Sequence, residues 1–152
     1  MNEKLTFKTL KSLEGKEIGV SGWLEITQER INLFAACTED KQWIHVDEEK
    51  AKKSPLKSTV AHGFLLLSLI PYLNLQFELF HTKYRFVVNY GLNRVRFLAP
   101  VRPGSKIRNR VVLKEVRKKS LRKVLVSLVN SLEIESEDKP ALVAETLALF
   151  YL

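Results

Sequence analysis

The stretch from Gly63 to Leu75 constrains the fold most. Phe64, Leu65, Leu66, Leu67, Leu69, Ile70 and Leu73 place apolar side chains around nearly the whole circumference of a helix. Such a helix is buried on all sides rather than laid on a surface. The wider apolar run, Val60 to Leu73, is broken by His62, Gly63, Ser68 and Pro71 and is too short to span a bilayer. Pro71 removes one backbone donor and loosens the last turn. From Tyr84 onward the pattern changes to period two. Val124, Val126, Leu128, Asn130, Leu132 and Ile134 alternate with more polar neighbours, as in a strand with one wet face. A helix that needs enclosing, followed by at least four strands with one apolar face, predicts an α+β chain whose antiparallel sheet wraps a central buried helix.

The remaining segments fit one domain over residues 1–152, long enough to bury a core. Residues 5 to 20 are mixed, with weak helical fragments. Lys16 to Leu24 reads as a strand or an entry turn. Ile26, Ile31, Leu33, Phe34 and Cys37 recur at helical spacing, and Thr27 is placed to cap that helix. Asp47 to Lys53 runs from acids to bases, the order a short helix prefers for its dipole, and Ser54-Pro55 ends it. Ser58 or Thr59 can cap the apolar helix. Turns follow at Pro100 to Ser105 and at Glu137 to Pro140. The last strand carries Val143, Glu145, Leu147, Leu149 and Tyr151 on one side. Met1 to Thr6 shows no apolar leader segment, and the single cysteine, Cys37, fits a reducing cytoplasm.

Two groups able to move protons, Asp40 and His45, stand five positions apart. On one continuous helix they would diverge by about 140°, so joint action requires an irregular connection between them. Gly63 follows at the start of the apolar helix, where a backbone N–H and the helix dipole favour developing negative charge. Each group also has a plain structural reading. The Asp–His pair reads as a surface salt bridge, Gly63 as a packing residue, and His62 as a satisfied core histidine. Ser68 reads as a hydroxyl bonded one turn back. Cys37 is a lone cysteine and reads as a buried bystander. His45, His62 and His81 do not follow zinc-ligand spacing, and no metal is expected. The net charge of +8 suits an anionic ligand or a nucleic acid. The run from Arg102 to Lys123 holds one acid, Glu115, and no aromatics, which argues against a nucleic-acid groove.

The motif Asp40-x-x-x-Ile44-His45-x-Asp47, then Ala61-His62-Gly63-Phe64-Leu65, resembles the signature of the MaoC-like dehydratases and R-specific enoyl-CoA hydratases. Gly91 to Ser105, with Val95-Arg96-Phe97, and Lys139 to Leu147 are similar to later segments of that family. The resemblance implies a hot-dog fold, usually paired as a homodimer. It also implies hydration of trans-2-enoyl thioesters, or dehydration of 3-hydroxyacyl thioesters, on CoA or a carrier protein, without metal or redox cofactor. It assigns Asp40 and His45 to a catalytic water and Gly63 to the oxyanion. A hot-dog thioesterase and a non-catalytic acyl-thioester binder are its rivals. The family loop reads Gly-Asp-x-Asn-Pro-Leu/Ile-His. Here Glu39 stands for the Gly and Gln42-Trp43 for Asn-Pro, and Trp43 is placed to shorten the acyl pocket. A serine that some members use late in the central helix aligns with Pro71.

Overall fold

The structure is a computed structural model that describes residues 4–152. The reading of the N-terminus as leaderless rests partly on Met1 to Glu3, which lie outside the described residues. In chain order the elements are α1 (Phe7–Ser12), β1 (Glu17–Val20), β2 (Leu24–Glu25), α2 (Gln28–Thr38), α3 (Trp43–Val46), α4 (Glu48–Lys52) and α5 (Gly63–Asn74). A 3-10 turn (Glu78–His81) leads to β3 (Phe86–Phe97), β4 (Lys106–Lys118), β5 (Lys123–Ile134) and β6 (Leu142–Tyr151). The strands form one antiparallel sheet in the order β1-β4-β5-β6-β3, with β2 also on β4. This is the hot-dog fold.

Burial follows from the strand pattern. On β5 the residues Val124, Val126, Leu128, Asn130, Leu132 and Ile134 are all buried. Leu132 and Ile134 join Val101, Ile107 and Leu142 against Leu65, Leu66, Leu69, Ile70 and Leu73 of α5. Val124, Val126 and Leu128 join a second cluster with Leu10 of α1, Val111, Leu113 and Phe150. Asn130 lies between the two halves, where Asn109 Nδ2 donates to Asn130 Oδ1 (2.9 Å) and to Asn74 Oδ1 (2.8 Å). An amide cluster of this kind fixes α5 over the sheet, because a register slip would leave buried amides unpaired.

Three expectations change. First, α5 is not enclosed all round. Phe64 and Tyr72 are 70% and 56% exposed, and Leu75, which caps the helix, is 54% exposed. The sheet covers one broad stripe, and a single chain has nothing left for the other side. Second, α5 is capped by His62, not by Ser58 or Thr59. Residues 59 to 62 run extended because the Val60 N–H donates to the Ile44 carbonyl and the Ala61 N–H to the Val101 carbonyl. The Thr59 hydroxyl is spent on Gln28 Oε1. Third, Cys37 is exposed.

Candidate active site

The expected irregular connection between Asp40 and His45 is a tight turn followed by a single helical turn. Thr27 caps α2 by accepting from the Arg30 N–H (3.2 Å). At the far end of α2, Glu39 adopts a left-handed conformation (φ 63°) that reverses the chain. Asp40 follows, and His45 lies in α3. The family glycine has a physical reason at this position, since a side chain at positive φ costs about 1–2 kcal/mol. Gln42 caps α3 without a side-chain bond, and Trp43 is its first helical residue. Those two places favour Asn and Pro respectively. Glu39→Gly therefore raises stability by roughly 0.5–1 kcal/mol after the entropy of the unfolded glycine is subtracted. A thermal melt should show this as an increase of about 1–4 °C.

His45 is buried. Its Nδ1 lies 2.7 Å from the Val60 carbonyl. A carbonyl only accepts, so Nδ1 carries the proton and Nε2 keeps the lone pair. Gln28 Nε2 donates to the His45 carbonyl (2.8 Å), tying α3 to α2. Burial holds the His45 pKa below its ordinary value; the Val60 carbonyl opposes this, His62 adds to it, and Asp40 opposes it. His45 is therefore a neutral base at pH 7. A carboxylate oxygen of Asp40 and one ring nitrogen each of His45 and His62 lie within 4.8 Å of one another. One water can bond to both Asp40 and His45 across that gap. Asp40 itself is half exposed.

The sequence reading missed the part His62 takes in this cluster. Its ring stacks on His45 with centroids 3.7 Å apart and planes 24° from parallel. The Phe34 ring of α2 is tilted against the same His62 ring, with centroids 5.0 Å apart. The available signal was its place directly before Gly63, at a cap position where an imidazole makes no capping bond. The carboxylate and two imidazoles meet the distance requirement for a metal site. One nitrogen of each ring already faces a main-chain carbonyl, Nδ1 of His45 that of Val60 and Nε2 of His62 that of Asp40.

Gly63 opens α5, and its N–H has no partner within the helix. A Cβ added there would stand 2.8 Å from the Phe97 ring. A cleft of about 260 Å³ adjoins it, lined by Ala61, Gly63, Leu66, Phe97, Val101 and Ala141 among others. Ser68 bonds back to the Leu65 carbonyl (2.7 Å), as expected. Trp43 is half-buried with Lys50 Nζ 5.0 Å from its ring centre. Much of the basic run is paired across the sheet. Arg108 and Arg110 share Glu133, and Lys114 holds Glu145 at 2.7 Å.

The family model described as "MaoC like domain" matches residues 10–135. A 3-hydroxyacyl-thioester dehydratase Z of Mycobacterium tuberculosis is 42% identical over 149 residues, covering 95% of this chain and 97% of that protein. A monoamine oxidase regulatory protein from Archaeoglobus superposes with a TM-score of 0.83 at 25% identity, over 98% of this chain and 95% of the other. The (R)-hydratase of A. caviae involved in PHA biosynthesis superposes at 0.73 with 21% identity, over 89% and 94%. With the motif, the sheet around α5 and these likenesses in agreement, the chain belongs to the MaoC-like family.

Proposed function

We propose that this protein is a hydro-lyase that interconverts trans-2-enoyl and 3-hydroxyacyl thioesters carried on CoA or an acyl carrier protein. The observation that carries the reading is that a carboxylate oxygen of Asp40 and a ring nitrogen of His45 lie within 4.8 Å of each other, close to the N-terminus of α5. The dehydratase and hydratase likenesses support the same reaction class. Asp40 and His45 hold a water. The bare Nε2 of His45 accepts one proton while the water oxygen bonds to C3. The displaced electron pair moves to the thioester oxygen, where the Gly63 N–H and the helix dipole stabilise it. A proton then passes from the acid–base pair to C2, and the pair ends as it began. The reverse sequence expels water. This chemistry needs no metal or redox cofactor, and the reading takes cytoplasm as its setting.

The acting unit is read as a homodimer. β3 is an end strand of the sheet, and Phe86, Val88, Tyr90, Leu92 and Phe97 on it are exposed. Phe64 and Tyr72 of α5, with Leu75 at its C-terminal cap, add further exposed apolar side chains. Long bare edges and large apolar patches are normally covered. Replacing Tyr90 and Leu92 together with lysine should convert the protein to monomers by sedimentation velocity and lower its turnover. A wild-type protein that already sediments as a monomer at micromolar concentration refutes the dimer.

The test of the reaction is loss of conjugated enoyl absorbance when the protein is mixed with crotonyl-CoA and longer enoyl-CoAs. Hydration without release of free thiol is expected. Thiol release would mark a thioesterase, and tight binding without turnover would mark a binder.

A further inference from the structure

His62 is 2% exposed, within the range of the core leucines, and the reaction described above gives it no task. Its Nε2 lies 2.9 Å from the main-chain carbonyl of Asp40. That carbonyl can only accept, so His62 donates, and the tautomer is fixed as it is in His45. The same Nε2 lies 3.9 Å from a carboxylate oxygen of Asp40. Its Nδ1 is buried with no hydrogen-bond partner among the described residues. The ring backs that of His45, and the next residue is Gly63.

Packing alone would be met more cheaply by an apolar ring, because an imidazole leaves Nδ1 unpaired. What an apolar ring lacks is the N–H to Asp40. That bond matters because Asp40 follows a strained residue and sits in a connection that is otherwise exposed, with its side chain 56% accessible.

We propose that His62 is a positioning residue. Its N–H holds the Asp40 main chain while its ring backs His45, so that one side chain sets the acid, the base and the adjoining Gly63 amide at fixed separations. The inference rests on the hydro-lyase reading for its consequence, though not for its geometry. The ionisable groups that face His62 are Asp40, from the α2–α3 connection, and His45, from α3.

Two substitutions separate the two functions. His62→Phe keeps a stacking ring and loses the donor. His62→Gln keeps a donor and loses the ring. Misplacing a reacting group by about 1 Å costs on the order of 10²-fold, so each variant should lose roughly 10–10²-fold in kcat. KM should stay within about threefold, because neither change alters a substrate contact. In His62→Gln the acid limb of the kcat/KM profile should also move to higher pH, since the stacked ring that helps keep water from His45 is removed and burial is the main cause of its lowered pKa. A role in packing alone would lower the melting temperature and leave kcat and that limb unchanged in the folded protein. That result, in whichever variant folds, overturns the proposal.

The geometry is also read without turnover, by NMR titration of the His45 ring in wild type and His62→Gln. An upward move of the His45 pKa supports the backing of His45 by this ring, and an unmoved titration refutes it. Failure of the wild type to hydrate any enoyl thioester would instead refute the hydro-lyase reading, and the His45 titration would still decide the role of His62.

Discussion

His45→Ala should lower kcat for enoyl-thioester hydration by roughly 10²–10⁴-fold, the usual contribution of a positioned acid or base. The reason is specific to its ring. The Val60 carbonyl takes the Nδ1 proton, so the lone pair is committed to Nε2 before substrate arrives. Burial lowers the pKa, which keeps that lone pair free at pH 7. Asp40→Asn should fall by a similar factor, and the double variant should be little worse than either, because the two act on one water. The pH dependence has a definite sign. The base works when unprotonated and its pKa is depressed below 6.5, so kcat/KM should be flat above that value and fall only at more acidic pH. Stability follows the same sense. The unfolded chain takes up a proton near the ordinary value while the folded ring resists it, so stability is full above about 6.5 and declines as pH falls towards the folded value. Stopped-flow absorbance across pH 4.5 to 8 checks the rate. Wild-type activity in variants that lack either side chain would remove both residues from the mechanism.

The sheet was legible because period-two patterning is dense and local, as Val124 to Ile134 shows, and every apolar member of that alternation is buried. Thr27 was legible as a cap for the same reason, since its partner is three residues away. The connection from Asp40 to His45 could be inferred as irregular from the helical angle alone. Its actual turn, a left-handed Glu39, could not be read from composition, because glutamate gives no signal for positive φ. Long-range contacts were hidden in the same way. The cap of α5 moved to His62 because Val60 and Ala61 are claimed by Ile44 and Val101, partners far apart in sequence. The exposed side of α5 was misread because hydrophobicity reports that a surface will be covered, not whether the same chain covers it.

Gly63→Ala should lower kcat/KM by on the order of 10²–10³-fold, the cost of losing one oxyanion donor. The substitution keeps the N–H and adds only a methyl group. If the thioester oxygen must approach that N–H, the methyl group intrudes where Gly allows close contact. The same Cβ would meet the Phe97 ring at 2.8 Å, so a second explanation competes. On that explanation Gly63 serves only to seat Phe97, and the rate falls because the ring is displaced into the cleft. Phe97 is 48% exposed, so its ring has room to move, and the fold should survive the alanine with a modest change in melting temperature. Gly63→Ala combined with Phe97→Ala separates the two causes. Removing the ring relieves the clash and leaves the methyl group beside the amide. If the amide is the oxyanion donor, the double variant stays as slow as Gly63→Ala, whereas Phe97→Ala alone keeps most of its activity. Recovery of the double variant to the level of Phe97→Ala would show that Gly63 is there for packing and that the developing charge is held elsewhere.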